Sequence, residues 1–100
     1  MEERDLLIIL YDYYGDLLTD SQKKYFEDYY FNDLSLSEIS ENLGVSRNAC
    51  HNQIKSAENK LVNYEEKLKL VEKNKKIKEA VSKINDEKIK NDIINILEGE

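Results

Sequence analysis

Within nine residues the chain carries five side chains able to read the edge of a nucleic-acid base: Arg47, Asn48, His51, Asn52 and Lys55. Their steps of one, three, one and three residues put them on one side of a helix. Arg offers paired donors to guanine, and Asn offers a donor and an acceptor to adenine, so the chemistry they suit is non-covalent recognition in a groove. Ser46, just before them, suits the N-cap of that helix. Other chemistries lack their parts. His51 is the only histidine and Cys50 the only cysteine, two short of the four ligands a structural zinc site needs. Nothing resembles a phosphate loop, a dinucleotide turn or a nucleophile elbow. No catalytic residue, metal or cofactor is expected, and the chain does not read as an enzyme.

Positioning such a helix requires a second one packed across it, and residues 36 to 54, LSEISENLGVSRNACHNQI, have that plan. Ser35 and Glu38 have the spacing of a capping box that opens the first helix. Ile39 and Leu43 face inward one turn apart, and small Ser40 lies where the helices cross. Gly44 makes the turn, Val45 plugs it, and Cys50 with Ile54 forms the inward row of the second helix. The pattern is a helix-turn-helix.

Around it the sequence predicts helices throughout. There is no Pro, and the only Gly are Gly15, Gly44 and Gly99, so little interrupts a helix. A first helix spans about Glu3 to Tyr14, with Leu6, Leu7, Leu10, Tyr11 and Tyr14 on an apolar face that Ile8, Ile9 and Tyr13 widen. So broad a face asks for cover from a second copy of the chain. Thr19 and Gln22 form another capping box, and Tyr25, Phe26, Tyr29 and Tyr30 follow on one face as core aromatics. The helix from Ser46 is long, with no break before about Lys73 to Lys76. Ile54, Leu61, Leu68 and Ala57, Tyr64, Val71 make a short heptad seam along it, which suits intramolecular packing. Asn85 or Asp86 caps a last helix packed through Ile89, Ile93, Ile96 and Leu97.

One hundred residues suffice for one modest core, so residues 1–100 are taken as one domain: a helix-turn-helix core at 18–64 and a C-terminal helical extension at 65–100. The apolar share, 40%, is too high for charge-driven disorder. The N-terminus is acidic and its apolar run too short to cross a bilayer, which with one cysteine predicts a cytoplasmic protein with no membrane partner. The net charge of −6 disfavours strong nonspecific binding to nucleic acid. Its distribution is uneven, because residues 1 to 45 carry eleven acids against Arg4, Lys23 and Lys24. Between Lys67 and Lys83 stand Lys67, Lys69, Lys73, Lys75, Lys76, Lys78 and Lys83 against only Glu72 and Glu79. That run is either a solvated helix face or a phosphate-contact strip.

Residues 18 to 61, from LTDSQKKYFEDYY through LSEISENLGVSRNA to IKSAENKL, resemble region 4 of sigma factors. With the aromatic first helix and the tail NYEEKLKLVEKNKK, the chain as a whole looks like the YlxM family, small bacterial helix-turn-helix proteins whose genes neighbour that of the signal recognition particle GTPase. The resemblance implies an all-α, sigma region 4-like helix-turn-helix bundle with a long helix and a C-terminal helical extension. It also implies a regulatory protein binding DNA through residues 46–55, with a role in the signal recognition particle pathway. The alternative is an accessory factor that contacts the particle's GTPase or RNA, with the helix-turn-helix as scaffold. Docking on RNA polymerase is a third reading, inherited from region 4. Region 4 usually carries further bases at positions matching Gln53, Ser56 and Glu58, whereas this chain has only Arg47, Lys55 and Lys60. With so few phosphate contacts, DNA binding calls for a homodimer reading two half-sites.

Overall fold

The structure is a computed structural model that describes residues 2–99. Among these residues every regular element is helical: α1 (Glu3–Tyr14), a 3₁₀ turn (Gly15–Leu17), α2 (Asp20–Tyr30), α3 (Leu36–Leu43), α4 (Arg47–Leu68), α5 (Leu70–Val81) and α6 (Glu87–Leu97). The contacts divide them into two compact units, the first ending at Leu68 and the second beginning at Lys69. The division read from the sequence, after residue 64, lies four residues earlier, and α1 belongs to the first unit with the helix-turn-helix.

In the first unit, α1, α2 and α3 all pack on α4. The core is Leu7, Leu10 and Tyr14 of α1, Leu18, Tyr25, Phe26 and Tyr30, Ile39 of α3, and Cys50, Ile54, Ala57 and Leu61 of α4. Its aromatic part is a stack: the Tyr11 ring lies 4.6 Å from that of Phe26, nearly parallel, and Phe26 lies 4.4 Å from Tyr30. Three of the four expected α2 aromatics are buried, and Tyr29 is half-buried. Gly15 is where α1 tightens into the 3₁₀ turn. A Cβ there would come within 3.0 Å of the Tyr11 ring, so glycine lets that ring keep its place in the stack.

Both expected capping boxes are present. Thr19 Oγ1 accepts from the Gln22 amide at 3.1 Å and Gln22 Oε1 from the Thr19 amide at 3.0 Å, with the same exchange between Ser35 and Glu38. Asp86 caps α6, accepting from the amides of Lys88 and Ile89.

Two expectations change. The long helix stops at Leu68, because Lys69 takes a left-handed conformation at φ 54° before α5 starts. A non-glycine residue there costs on the order of 1–2 kcal/mol, and nothing in the local sequence announces it. The seam ends with it: Ile54, Ala57 and Leu61 are buried, Tyr64 is half-buried and Leu68 is exposed. In the second unit α5 packs on α6 and Val81 is buried, but no described residue of α6 is, and Ile89 and Ile96 are exposed.

Polar bonds fasten the first unit across long sequence separations. The Tyr14 hydroxyl donates to Glu65 at 2.6 Å, the Tyr11 hydroxyl to Glu27 at 2.6 Å, and the Tyr30 hydroxyl to Glu58. Burial, and then the neighbouring carboxylate of Glu27 or Glu58, pushes the Tyr11 and Tyr30 phenols well above their ordinary value of 10.0. A raised folded-state value favours the neutral phenol, so this stabilisation is complete below about pH 10 and is lost as pH climbs from there through the folded-state value. Urea melts between pH 9 and 11.5 are therefore expected to show a steeper alkaline decline in the wild type than in Tyr11→Phe/Tyr30→Phe. Equal slopes would remove this account. Glu58→Ala strands the buried Tyr30 hydroxyl and is expected to cost about 1–3 kcal/mol. Glu58→Gln keeps an acceptor and should cost less, a comparison that chemical denaturation resolves.

Candidate nucleic-acid interface

The helix-turn-helix forms because each end is closed by its own residues. Gly44 ends α3 at φ 68°, the left-handed region open to glycine, and the Val45 amide reaches back to the Ser40 carbonyl at 3.0 Å. Ser40 is buried at the crossing, its hydroxyl donating to the Ser37 carbonyl at 2.9 Å. Ser46 Oγ then accepts from the Ala49 amide at 3.0 Å, so this side chain is spent on capping α4. Leu43, expected to face inward, is 36% exposed. Ile39 and Cys50 are fully buried. Burial pushes the Cys50 thiol up, leaving it a packing group rather than a nucleophile.

With Cys50, Ile54, Ala57 and Leu61 turned inward, the opposite side of α4 carries Arg47, Asn48, His51, Asn52 and Lys55, all exposed. The expected reading residues are thus brought together on one open face, with Ser46 at its start. Two depressions adjoin that face, and His51 lines both. One lies between the starts of α3 and α4, formed by Leu36, Ser46, Arg47, Asn48 and His51. The other, of about 300 Å³, reaches from Lys55 and Glu58 of α4 to Glu3 and Arg4 of α1 and Tyr29 and Tyr30 of α2. Arg4 sits over the Tyr30 ring at 4.9 Å and donates to the Tyr30 carbonyl at 2.8 Å. Sequence reasoning missed Arg4, Tyr29 and Leu36 as neighbours of the reading helix. Only tertiary packing joins them to it.

The cations differ in freedom. Arg47 forms no ion pair among the described residues. Lys55 leans on Glu58 at 3.3 Å, and Lys60 donates to Gln22 Oε1 at 3.3 Å. Of the positions where region 4 carries bases, Ser56 accepts from Gln22 at 3.4 Å, and Glu58 is only 8% exposed. A base at Glu58 would have to displace a carboxylate that the core uses, which accounts for the departure in packing terms.

The lysine run spans more than one element: Lys67 lies in the last turn of α4, Lys69 precedes α5, and Lys83 follows it. On α5, Lys73 and Lys76 lie on one side of the apolar row and Lys75 and Lys78 on the other, with Glu72 and Glu79 between them on the outer face. Lys69 and Lys76 pair with Glu72 at 3.9 and 3.3 Å, and Lys78 pairs with Glu98 at 3.6 Å. Among the described residues no three His, Cys, Asp or Glu side chains gather as metal ligands, and no helix is long and apolar enough to cross a membrane.

A family model described as "Putative helix-turn-helix protein, YlxM / p13 like", UPF0122, matches residues 1–99. The chain belongs to the UPF0122 family. It is similar to the UPF0122 protein of Malacoplasma penetrans, 45% identical over 96 residues covering 94% of this chain and 90% of that one. It is also similar to the UPF0122 protein of Desulforamulus reducens, at 43% over 100 residues (99% and 77%), and to that of Clostridium novyi, at 47% over 105 residues (98% and 91%). The YlxM resemblance and the helix-turn-helix both hold.

The cap gives this site its first test. Ser46→Ala removes the acceptor at the Ala49 amide and is expected to lower stability by about 1 kcal/mol. Ser46→Asp restores the acceptor and should recover most of the loss in the same melt. Equal stability of Ser46→Ala and wild type would mean that the cap does not hold the start of α4.

Proposed function

We propose that this UPF0122 member is a cytosolic, DNA-binding regulatory protein that sets the outer face of α4 into the major groove, as a dimer. One observation carries the reading: Arg47, Asn48, His51, Asn52 and Lys55 stand side by side and exposed on a helix whose opposite side is locked in the core. Exposed side chains that match the base-edge donors and acceptors are what a reading helix requires. Ser46 fixes the start of that helix and so the depth at which Arg47 and Asn48 enter. A sigma region 4-like use of the motif fits this assignment, with α3 crossing the backbone while α4 reads.

The dimer follows from the phosphate count. One copy brings Arg47 and Lys55 to the reading face, and Lys60 is held against Gln22. Two copies bring four such cations and two half-sites about one helical turn apart. A strip of phosphate contacts along Lys67 to Lys83 would have to use one flank of α5 at a time, since the lysines straddle its apolar row.

Selection from a random duplex library at low salt is expected to return a two-fold repeated motif. Arg47→Ala is expected to weaken binding to it by about 5- to 150-fold, the range for one bidentate base contact. With about four cations engaged, the log–log salt slope should be roughly −3 to −4. Lys55→Ala should make that slope shallower without relaxing the motif. Titration of the signal recognition particle's RNA in the same salt series provides the contrast. If no duplex sequence is selected while that RNA binds tightly, the groove reading is wrong and the accessory-factor reading takes its place.

A further inference from the structure

The cavity of about 300 Å³ that runs from Glu58 to Arg4 is lined by all four α-helices of the first unit. Leu7, Tyr30 and Ile54, all buried, make its bottom, and half-buried Leu36 stands beside them. Ligand sites run from about 300 to 1,000 Å³, so an occupant of this one must be small.

Its chemistry follows from which polar groups of the lining are already spent. Glu58 is spent, since one oxygen accepts from the Tyr30 hydroxyl and the other lies 3.3 Å from Lys55. Arg4 is spent on one side only: its Nη2 donates to the Tyr30 carbonyl at 2.8 Å and stands 3.2 Å from Asp33. These bonds and the Tyr30 ring, 4.9 Å away, fix the guanidinium, while Nε and Nη1 have no partner among the described residues. The Glu3 carboxylate, the Tyr29 hydroxyl and the His51 ring make no hydrogen bond or ion pair among those residues either.

Glu3 and Arg4 are neighbours on α1, and adjacent residues of a helix do not face each other, so neither neutralises the other. The cavity thus offers an unpaired carboxylate and an open guanidinium edge together, next to an apolar bottom. A simple anion would gain from Arg4 and be repelled by Glu3, and a simple cation would meet the reverse. A small ligand that carries both signs satisfies both.

We propose that this cavity binds a free α-amino acid with an apolar side chain. Its carboxylate meets the open edge of Arg4, its ammonium meets Glu3, and its side chain lies on Leu7, Leu36 and Ile54. A guanidinium fork suits a carboxylate through two parallel hydrogen bonds, and one already fixed by its neighbours loses little freedom on binding. His51 and Lys55, which wall the cavity on the α4 side, also belong to the face proposed for DNA, but the site itself requires no DNA.

Amide chemical-shift titration of the full chain by NMR, without DNA, tests it. L-leucine or L-phenylalanine is expected to bind with a Kd of about 1 mM or below, with shifts concentrated around Glu3, Arg4, Tyr29 and His51. Isocaproate, which is leucine without its ammonium, isoamylamine, which is leucine without its carboxylate, and glycine should each bind at least about 10-fold more weakly. Glu3→Gln, at an exposed side chain with no bond to lose, is expected to weaken leucine about 10-fold and leave isocaproate no weaker. Arg4→Gln, with circular dichroism showing intact helix, should weaken leucine and isocaproate alike, and the Glu3 variant decides the matter even where loss of Arg4 unfolds the chain. No binding of either amino acid at about 10 mM, shifts that lie away from the cavity, isocaproate binding as tightly as leucine, or Glu3→Gln without effect would each overturn the site.

Discussion

The inward row of α4 is the constraint on which the first unit depends. Cys50, Ile54, Ala57 and Leu61 are all but fully buried, and α1, α2 and α3 meet on the surface they make. Full burial of one large apolar side chain contributes about 1.5–3 kcal/mol, so exposing Ile54 and Leu61 by rotating α4 one position would forfeit about 3–6 kcal/mol, a large part of the roughly 5–15 kcal/mol typical of a small domain. That row therefore sets the phase of the helix. Because Arg47, Asn48, His51, Asn52 and Lys55 lie on the other side of the same helix, their direction is set by the core. A binding constellation on a rigid helix loses less freedom on engagement than one on a loop.

Polar groups reinforce the phase instead of weakening it. Glu58 shares the inner side with the apolar row, and its burial is tolerated because the Tyr30 hydroxyl donates to it and Lys55 stands 3.3 Å away. Gln22 acts at the other end of α2: its Oε1 accepts from the Thr19 amide and from Lys60, and its Nε2 donates to Ser56. The same residue thus closes a helix start and bridges α2 to α4. No buried side-chain nitrogen or oxygen among the described residues lacks a hydrogen-bond partner. A polar network satisfied to this degree specifies one arrangement of the helices rather than several.

The features legible in the sequence were those set by neighbours in the chain. Thr19 with Gln22 and Ser35 with Glu38 are local exchanges over three residues, and Gly44 answers a local need for a left-handed turn, so their types and spacing suffice. The exposed face of α4 was legible because helical period alone sorts buried Cys50 and Ile54 from exposed Arg47 and His51. What the sequence hid depends on distant partners. Glu58 looks like any surface acid until Tyr30, 28 residues away, is placed against it. Lys69 carries no breaker signal, yet its backbone divides what reads as one helix. The lysine run looked continuous because a linear count ignores that α5 turns Lys73 and Lys75 to opposite flanks.

The overall acidity bears on how such a face would work. From Asn42 through Ala57 no acidic residue occurs, while Arg47, His51 and Lys55 fall inside that stretch. Glu38, at the start of α3, has a carboxylate oxygen accepting from the Ser35 amide. At physiological salt, charges beyond about 8 Å are largely screened, so what a phosphate meets in contact is this local field and not the net −6. The distant acids still count during approach, where they reduce the general attraction that holds basic proteins to any nucleic acid. On the proposed reading, such a face would give up nonspecific affinity while keeping its base contacts. For a chain this small, that balance makes recognition depend on the fit of a few side chains, and so on the core row that aims them.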